Sequence, residues 1–139
     1  MNNHKIIVFS SSFFIAPFLY LYFFVENPNL YETVFSIMLI GNLFFSVLFW
    51  NNPVKFSLLH TLDKYFVRLS VIAGIIYISL IKDIEYYYKY IFYIFFFIFT
   101  GLAKLSSIES DKVWCSDMHI VYHFLLHIFG ISGSYIAFI

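Results

Sequence analysis

Five long apolar stretches, joined by short polar connectors, constrain the fold of this chain more than any other feature. Each is close to the ~20 residues that a helix rising ~1.5 Å per residue needs to cross a hydrocarbon core of ~30 Å. Lipid offers backbone groups no hydrogen-bond partner, and the sequence lacks the alternating pattern of a membrane barrel, so the stretches are predicted to be helices. The predicted spans are 6–25, 30–50, 62–81, 87–103 and 118–139.

The composition supports a membrane protein and argues against several other classes. Hydrophobic residues make up 62% of the chain and charged residues 12%, whereas an ordinary soluble domain carries ~25% charged residues. The net charge is zero, so no nucleic-acid partner is predicted. The single cysteine, Cys115, excludes an internal disulfide and a cysteine-rich zinc site. Because every connector is short, residues 1–139 are predicted to form one all-α transmembrane domain.

The first apolar stretch follows Lys5 and has some features of a signal peptide. Its core is too long for one, however, and no small-residue cleavage pattern follows Val25. We therefore predict a retained first helix that is kinked at Pro17. Basic residues before this span and between the second and third spans place the N-terminus on the cytoplasmic side in this prediction.

Polar residues within the spans are expected to meet at one end of the bundle. In the predicted topology, the second span ends on the same side of the membrane as the third and fifth spans begin. Ionisable groups inside a membrane are costly and mark functional sites by default. The residues concerned are Asn42 and Ser46 on the second span, His60 and Asp63 at the start of the third, and His119, His123 and His127 on the fifth.

The spacing of the three histidines on the fifth span suggests metal chemistry. They are four residues apart, and Cβ atoms at that spacing lie ~5–6 Å from each other on one helix face. Two such imidazoles can bind one zinc ion, and a third protein ligand plus a water molecule would make an open catalytic site. In that reading Asp63 would orient or deprotonate the water, and Ser46 would stabilise a developing oxyanion.

The same residues also have simpler interpretations. Membrane histidines often form hydrogen bonds between helices, and a serine such as Ser46 suits close helix packing. Asp63 can pair with Lys64, with Arg68 or with lipid headgroups. Chains of intramembrane His and Asp also build metal or proton conduits, although here the polar residues stop in one leaflet.

Two segments resemble a known membrane hydrolase superfamily. "HFLLHIFGISGSY" (123–135) is similar to the His-x-x-x-His and following Gly-Ser-Tyr of alkaline ceramidases, and "SVLFWNNPVKFSLLHTLD" (46–63) is similar to their segment that runs from a Ser to a Leu-Asp. The superfamily also contains progestin/adiponectin-type receptors, haemolysin III-like proteins and lipid-remodelling proteins. The resemblance implies a seven-helix bundle that holds zinc through three histidines and hydrolyses a lipid amide.

Carried over by position, the resemblance gives roles to four residues of this chain. His123 and His127 would be zinc ligands, Asp63 would orient water, and Ser46 would supply the hydroxyl. The predicted function is therefore zinc-dependent hydrolysis of a ceramide-like lipid, with membrane lipids as partners.

The chain departs from the family at two points. Trp50 stands where the third histidine is expected, and an indole nitrogen can only donate a hydrogen bond. His60 is the first candidate to replace that ligand, and His119 is the alternative. Only five spans are visible, so a reduced bundle is predicted. The competing interpretation is a non-catalytic scaffold or receptor-like protein that kept the bundle and lost the chemistry.

Overall fold

The computed structural model describes residues 3–139, and every regular element in that part of the chain is helical. Five helical segments in that part of the chain are long and apolar enough to cross a membrane, and the first of them, Lys5–Phe24, consists of two short helices. This confirms the predicted all-α bundle. The helices are α1 (Lys5–Ser12), α2 (Ile15–Phe24), α3 (Leu30–Asn51), α4 (Leu58–Ile76, continued by a π-helical turn over Tyr77–Ile81), α5 (Tyr86–Lys112) and α6 (Asp117–Tyr135, followed by a 3-10 turn over Ile136–Phe138).

Two helix boundaries differ from those predicted. Helix α5 continues to Lys112 instead of ending near residue 103, and α4 begins at Leu58 instead of near residue 62. Hydropathy marks only the lipid-embedded part of a helix, whereas helix formation also depends on capping. The side chain of Ser57 accepts a hydrogen bond from the backbone N–H of His60 and so starts α4 one turn early.

The first span is broken between α1 and α2, which confirms the predicted kink. Pro17 has no backbone N–H, and its ring clashes with the carbonyl four residues earlier, which belongs to Phe13. The chain responds with a tighter turn, in which the backbone N–H of Ala16 donates to Phe13 O at 2.9 Å. Helix α1 is therefore a separate helix from α2, and it packs against α3 and α6. Its Ser10 and Ser11 are buried against those helices.

The helices pack in two layers that leave a cleft. Helix α5 lies along α6, and α3 lies along α4, while α1 and α2 cover α3 and α6. Between α4 and α5 a cleft of about 540 Å³ is floored by α6, and we call it the α4–α5 cleft. Helices α1, α4 and α6 begin, and α3 and α5 end, at the same end of the bundle. We call this the histidine end.

Gly41 allows α3 to approach α4 closely. A Cβ atom at this position would lie 2.8 Å from the ring of Phe66, which in turn packs against Phe45 with ring centroids 4.5 Å apart. We expect Gly41→Leu to lower the free energy of unfolding by about 1–3 kcal/mol, the usual effect of overpacking. Thermal unfolding in detergent measures this effect, with Gly101→Leu as the control. Apart from its chain neighbours and its own helix backbone, no atom lies within 4 Å of a Cβ at Gly101, so equal losses in the two variants would contradict the close contact.

Candidate functional site

The histidine rings of α6 form a row at the histidine end of the bundle. The ring centroids of His119 and His123 are 6.0 Å apart, and those of His123 and His127 are 5.0 Å apart. Helical periodicity explains the row, because residues four apart project from one face. The outer two members, His119 and His127, are each only 3% exposed.

His127 is held by a serine of α1. Its Nδ1 lies 2.8 Å from the Oγ of Ser10, and that hydroxyl donates its hydrogen to the carbonyl of Ile7 at 3.0 Å. A hydroxyl has one hydrogen to donate, so when that hydrogen is bonded to Ile7 the ring donates through Nδ1–H to Ser10. The Nε2 of His127 is then left with its lone pair.

His123 has a similar partner on another helix and borders the cleft. Its Nδ1 lies 3.3 Å from the Oγ of Ser106 on α5. Its ring packs against the indole of Trp50, with centroids 4.6 Å apart. His123 thus joins α3, α5 and α6 at the floor of the α4–α5 cleft.

Ser46 is bonded to α1. Its Oγ lies 2.8 Å from that of Ser11, and Ser11 donates to the carbonyl of Ile7 at 2.7 Å. Either hydroxyl can be the donor in the serine pair. The structure therefore brings Ser46 to the histidine end, where its hydroxyl is hydrogen-bonded to α1.

Asp63 is buried at the α4–α5 cleft without a basic partner. Its side chain is 4% exposed, and its Oδ1 makes no hydrogen bond within the described chain. Neither Lys64 nor Arg68 forms an ion pair with it among residues 3–139. Asp63 and His123 both line the cleft.

His60 and His119 occupy equivalent places at the starts of two helices. Each follows an N-cap serine by three residues, and the backbone N–H of each donates to that serine. Each ring Nδ1 also accepts a backbone N–H from the residue four positions earlier, at 3.0 Å from Phe56 and 3.2 Å from Cys115. Both donor residues have positive φ angles, 64° and 58°.

The hydrogen bond that each Nδ1 accepts fixes the tautomer of both imidazole rings. A neutral imidazole that accepts at Nδ1 carries its proton on Nε2, so neither ring nitrogen has a free lone pair for a metal. His60 and His119 thus support the N-caps of α4 and α6, because each ring binds the backbone N–H of the residue that precedes the N-cap serine. The indole of Trp114 packs between them, with ring centroids 5.3 Å and 5.0 Å away. Burial also raises the pKa of the adjacent Cys115 thiol, which favours its protonated form.

The cap geometry predicts the effect of removing one ring. We expect His119→Ala to lower the free energy of unfolding by about 1 kcal/mol, as for other lost caps, and to leave any bound zinc unchanged. Thermal unfolding and metal analysis of the purified variant measure the two quantities. His4→Ala is the matched control, because His4 sits at the start of α1 without a side-chain cap bond. Loss of zinc in His119→Ala with unchanged stability would contradict the capping role.

Trp50 fills the position next to the histidine row. Its side chain is 1% exposed and also packs 5.7 Å from the ring of His119, measured between centroids. No group of three ligand-type side chains within residues 3–139 is close enough to hold a metal ion. The Nε2 atoms of His123 and His127 make no hydrogen bond within the described residues, whereas each Nδ1 lies next to a serine hydroxyl.

Some buried polar atoms of α3 and α4 have no hydrogen-bond partner among the described residues. Within the described residues, the buried side-chain atoms without a hydrogen bond are Asn42 Oδ1, Trp50 Nε1 and Asp63 Oδ1. Such atoms are rare and call for an explanation, such as a bound water or ligand. Asn42, whose Nδ2 donates to Ser70 at 2.8 Å, lines a smaller pocket of about 70 Å³ that shares walls with the cleft.

Comparison of the chain with family models, with curated proteins and with solved structures finds no match.

The site combines residues that the sequence indicated with others that it did not. The predicted residues Asp63 and His123 share the cleft, whereas Ser46 and His127 are bonded to α1. The additional residues are Ser10 and Ser11 on α1 and Ser106 on α5.

Proposed function

We propose that this protein binds a membrane lipid in the α4–α5 cleft, with the polar linkage of the lipid beside Asp63 and His123. The observation that carries the proposal is a largely apolar cleft that is lined by a buried carboxylate, Asp63, whose Oδ1 accepts no hydrogen bond within the described residues. In this proposal the chain is a reduced relative of the hydrolase superfamily that it resembles, with an altered metal site at Trp50. A lipid-binding protein of this kind corresponds to the non-catalytic scaffold or receptor-like alternative given in the sequence analysis.

The dimensions and chemistry of the cleft support a lipid. Its volume of about 540 Å³ falls within the ~300–1,000 Å³ that is typical of ligand sites. Farther from the histidine end, its walls are apolar and include Val71, Ile75 and Phe96. Acyl chains suit such walls, since their burial is favourable and needs no hydrogen bonds.

The unsatisfied carboxylate oxygen in the cleft indicates what the polar part of the ligand must supply. Asp63 lines the cleft, and its Oδ1 is an acceptor without a donor within the described residues. A buried acceptor is stabilised by a donor, which a lipid provides as a hydroxyl or an amide N–H. We therefore expect the bound lipid to carry at least one such donor near its carbonyl.

A variant that fills the cleft tests the proposal. Ala103 lines the cleft from α5, so Ala103→Phe is expected to displace the lipid. Gly101→Phe is the control, because this position on the same helix is open. Native mass spectrometry of the detergent-purified protein should show bound lipid in the wild type and in the control, and a clear loss in Ala103→Phe. Equal lipid retention in all three proteins would rule the proposal out.

Zinc-dependent hydrolysis of a lipid amide is the second candidate function. It is favoured by the matched histidine partners: His123 and His127 each face a serine through Nδ1, as metal-binding histidines face an outer-shell partner. About one zinc per wild-type chain, lost in His123→Ala, together with release of fatty acid from a ceramide, would favour this candidate. A wild-type protein without zinc would eliminate it and leave lipid binding intact.

A further inference from the structure

We infer that the lipid in the α4–α5 cleft carries a phosphate group, held by Lys64 and Arg68 at the mouth of the cleft. This inference rests on the proposed lipid-binding function and adds the chemical class of the ligand. Both basic residues line the cleft, and both are exposed in the structure. They are four residues apart on α4, so they lie on one face and can contact the same group.

The depth of Arg68 in the span is the first argument. At ~1.5 Å per residue, Arg68 lies about 15 Å along the helix from Leu58 and about 20 Å from Ile81. A charged side chain that far into a membrane span is costly and is found facing a partner or a polar cavity. The cleft is the cavity that Arg68 lines.

The lack of a protein counter-charge is the second argument. In the described chain, the ion pairs join Lys55 to Asp111, Lys82 to Glu32 and Lys112 to Glu109. Lys64 and Arg68 take part in none of them, although Asp63 is adjacent in sequence.

The charge balance of the cleft follows from its lining. The residues with formal charge there are one acid, Asp63, and two bases, Lys64 and Arg68. The acid is buried and the bases are exposed, so a negative group at the mouth meets the bases first.

A phosphate group matches this pair of basic residues better than an uncharged headgroup does. The planar guanidinium of Arg68 can form two parallel hydrogen bonds to phosphate oxygens, and Lys64 adds a compact positive charge. Across the mouth, the exposed Ser107 of α5 lines the same opening and offers a hydroxyl. The apolar walls beyond would remain unfilled by free phosphate, so the occupant is a phosphate-bearing lipid.

Binding of matched lipids tests this inference without any variant. Dioleoyl phosphatidic acid and dioleoylglycerol have the same tails and differ in the phosphate. We expect the wild-type protein in neutral detergent to bind the phosphatidic acid roughly tenfold or more tightly, the order expected for a charge-assisted contact. Native mass spectrometry, titrated with each lipid in turn, gives both affinities.

Charge-neutralising variants locate the effect. Lys64→Gln/Arg68→Gln is expected to abolish the preference for phosphatidic acid while retaining dioleoylglycerol. The control is Lys5→Gln/Lys104→Gln, which removes two exposed positive charges from the same end of the bundle but outside the cleft. The control should keep the preference in full.

The outcomes separate this inference from the function on which it rests. Equal wild-type affinity for the two lipids would overturn the phosphate assignment and leave lipid binding intact. Binding of neither lipid would overturn both. A preference lost equally in the cleft variant and the control would mean general charge attraction, and inorganic phosphate binding without any lipid preference would likewise contradict the inference.

Discussion

Lys82→Met is expected to lower the free energy of unfolding by about 3–5 kcal/mol, because it leaves a buried carboxylate without its cation. The Nζ of Lys82 donates to Glu32 Oε1 at 2.8 Å and to the carbonyl of Ala137 at 2.8 Å. Tyr77 also donates to Glu32 Oε1, at 3.1 Å. The network ties α3, the π-helical turn and the C-terminal 3-10 turn together at the end opposite the histidines. Thermal unfolding in detergent measures the loss.

A second variant separates the unpaired charge from lost packing. Glu32→Gln/Lys82→Met removes both charges, so it should recover much of the stability lost in Lys82→Met alone. Lys112→Met is the surface control, because the Lys112 side chain is 64% exposed, and exposed pairs contribute about 0–1 kcal/mol. If Lys82→Met and Lys112→Met had equal effects, the buried network would not hold the fold.

Trp50→His is expected to convert the histidine row into a zinc site that holds about one ion per chain. The substitution puts an imidazole where the resemblance expects the third ligand, beside the ring of His123. Three imidazoles and a water complete a tetrahedral site. Three ligands in place of two should raise zinc affinity by orders of magnitude, which metal analysis after dialysis and competition with a chelator can measure.

Two controls test whether the new ion sits in the intended place. Trp50→Phe removes the indole without adding a ligand and should gain no zinc. Trp50→His/His127→Ala should lose the zinc that the single variant gained. Zinc bound equally by Trp50→Phe and Trp50→His would show that the added imidazole is not a zinc ligand, which would contradict this account.

Much of the bundle could be predicted from the sequence because hydropathy and lipid leave few alternatives. The five apolar runs correspond to the five long helical segments, and the Pro17 kink is where the missing N–H requires it. The polar end of α5 could not be predicted in this way. Residues after 103 stay helical through backbone bonding and through local pairs such as Glu109 with Lys112. The orientation of the N-terminus in the membrane stays a prediction.

The sequence predicts several residues of the site, but it does not predict the side chains to which they are hydrogen-bonded. The four-residue spacing identified His123 and His127, but it does not reveal that serines from α1 and α5 hold their Nδ1 atoms. Those contacts depend on how distant helices pack. The caps at His60 and His119 did have a signal, since "SLLH" (57–60) and "SDMH" (116–119) repeat one Ser-x-x-His pattern. The predicted replacement ligands are thus the residues with the clearest structural role.

Locating a brominated lipid in crystals of the protein tests the central claim most directly. A phosphatidic acid with bromine on its acyl chain can be added during crystallisation from a lipid phase, and the anomalous signal then places the chain. We predict bromine between α4 and α5, near Val71 and Phe96, with the polar linkage beside Asp63 and His123. Bromine found only on the outer surface of the bundle, with α4 and α5 in direct contact, would contradict lipid binding in the cleft.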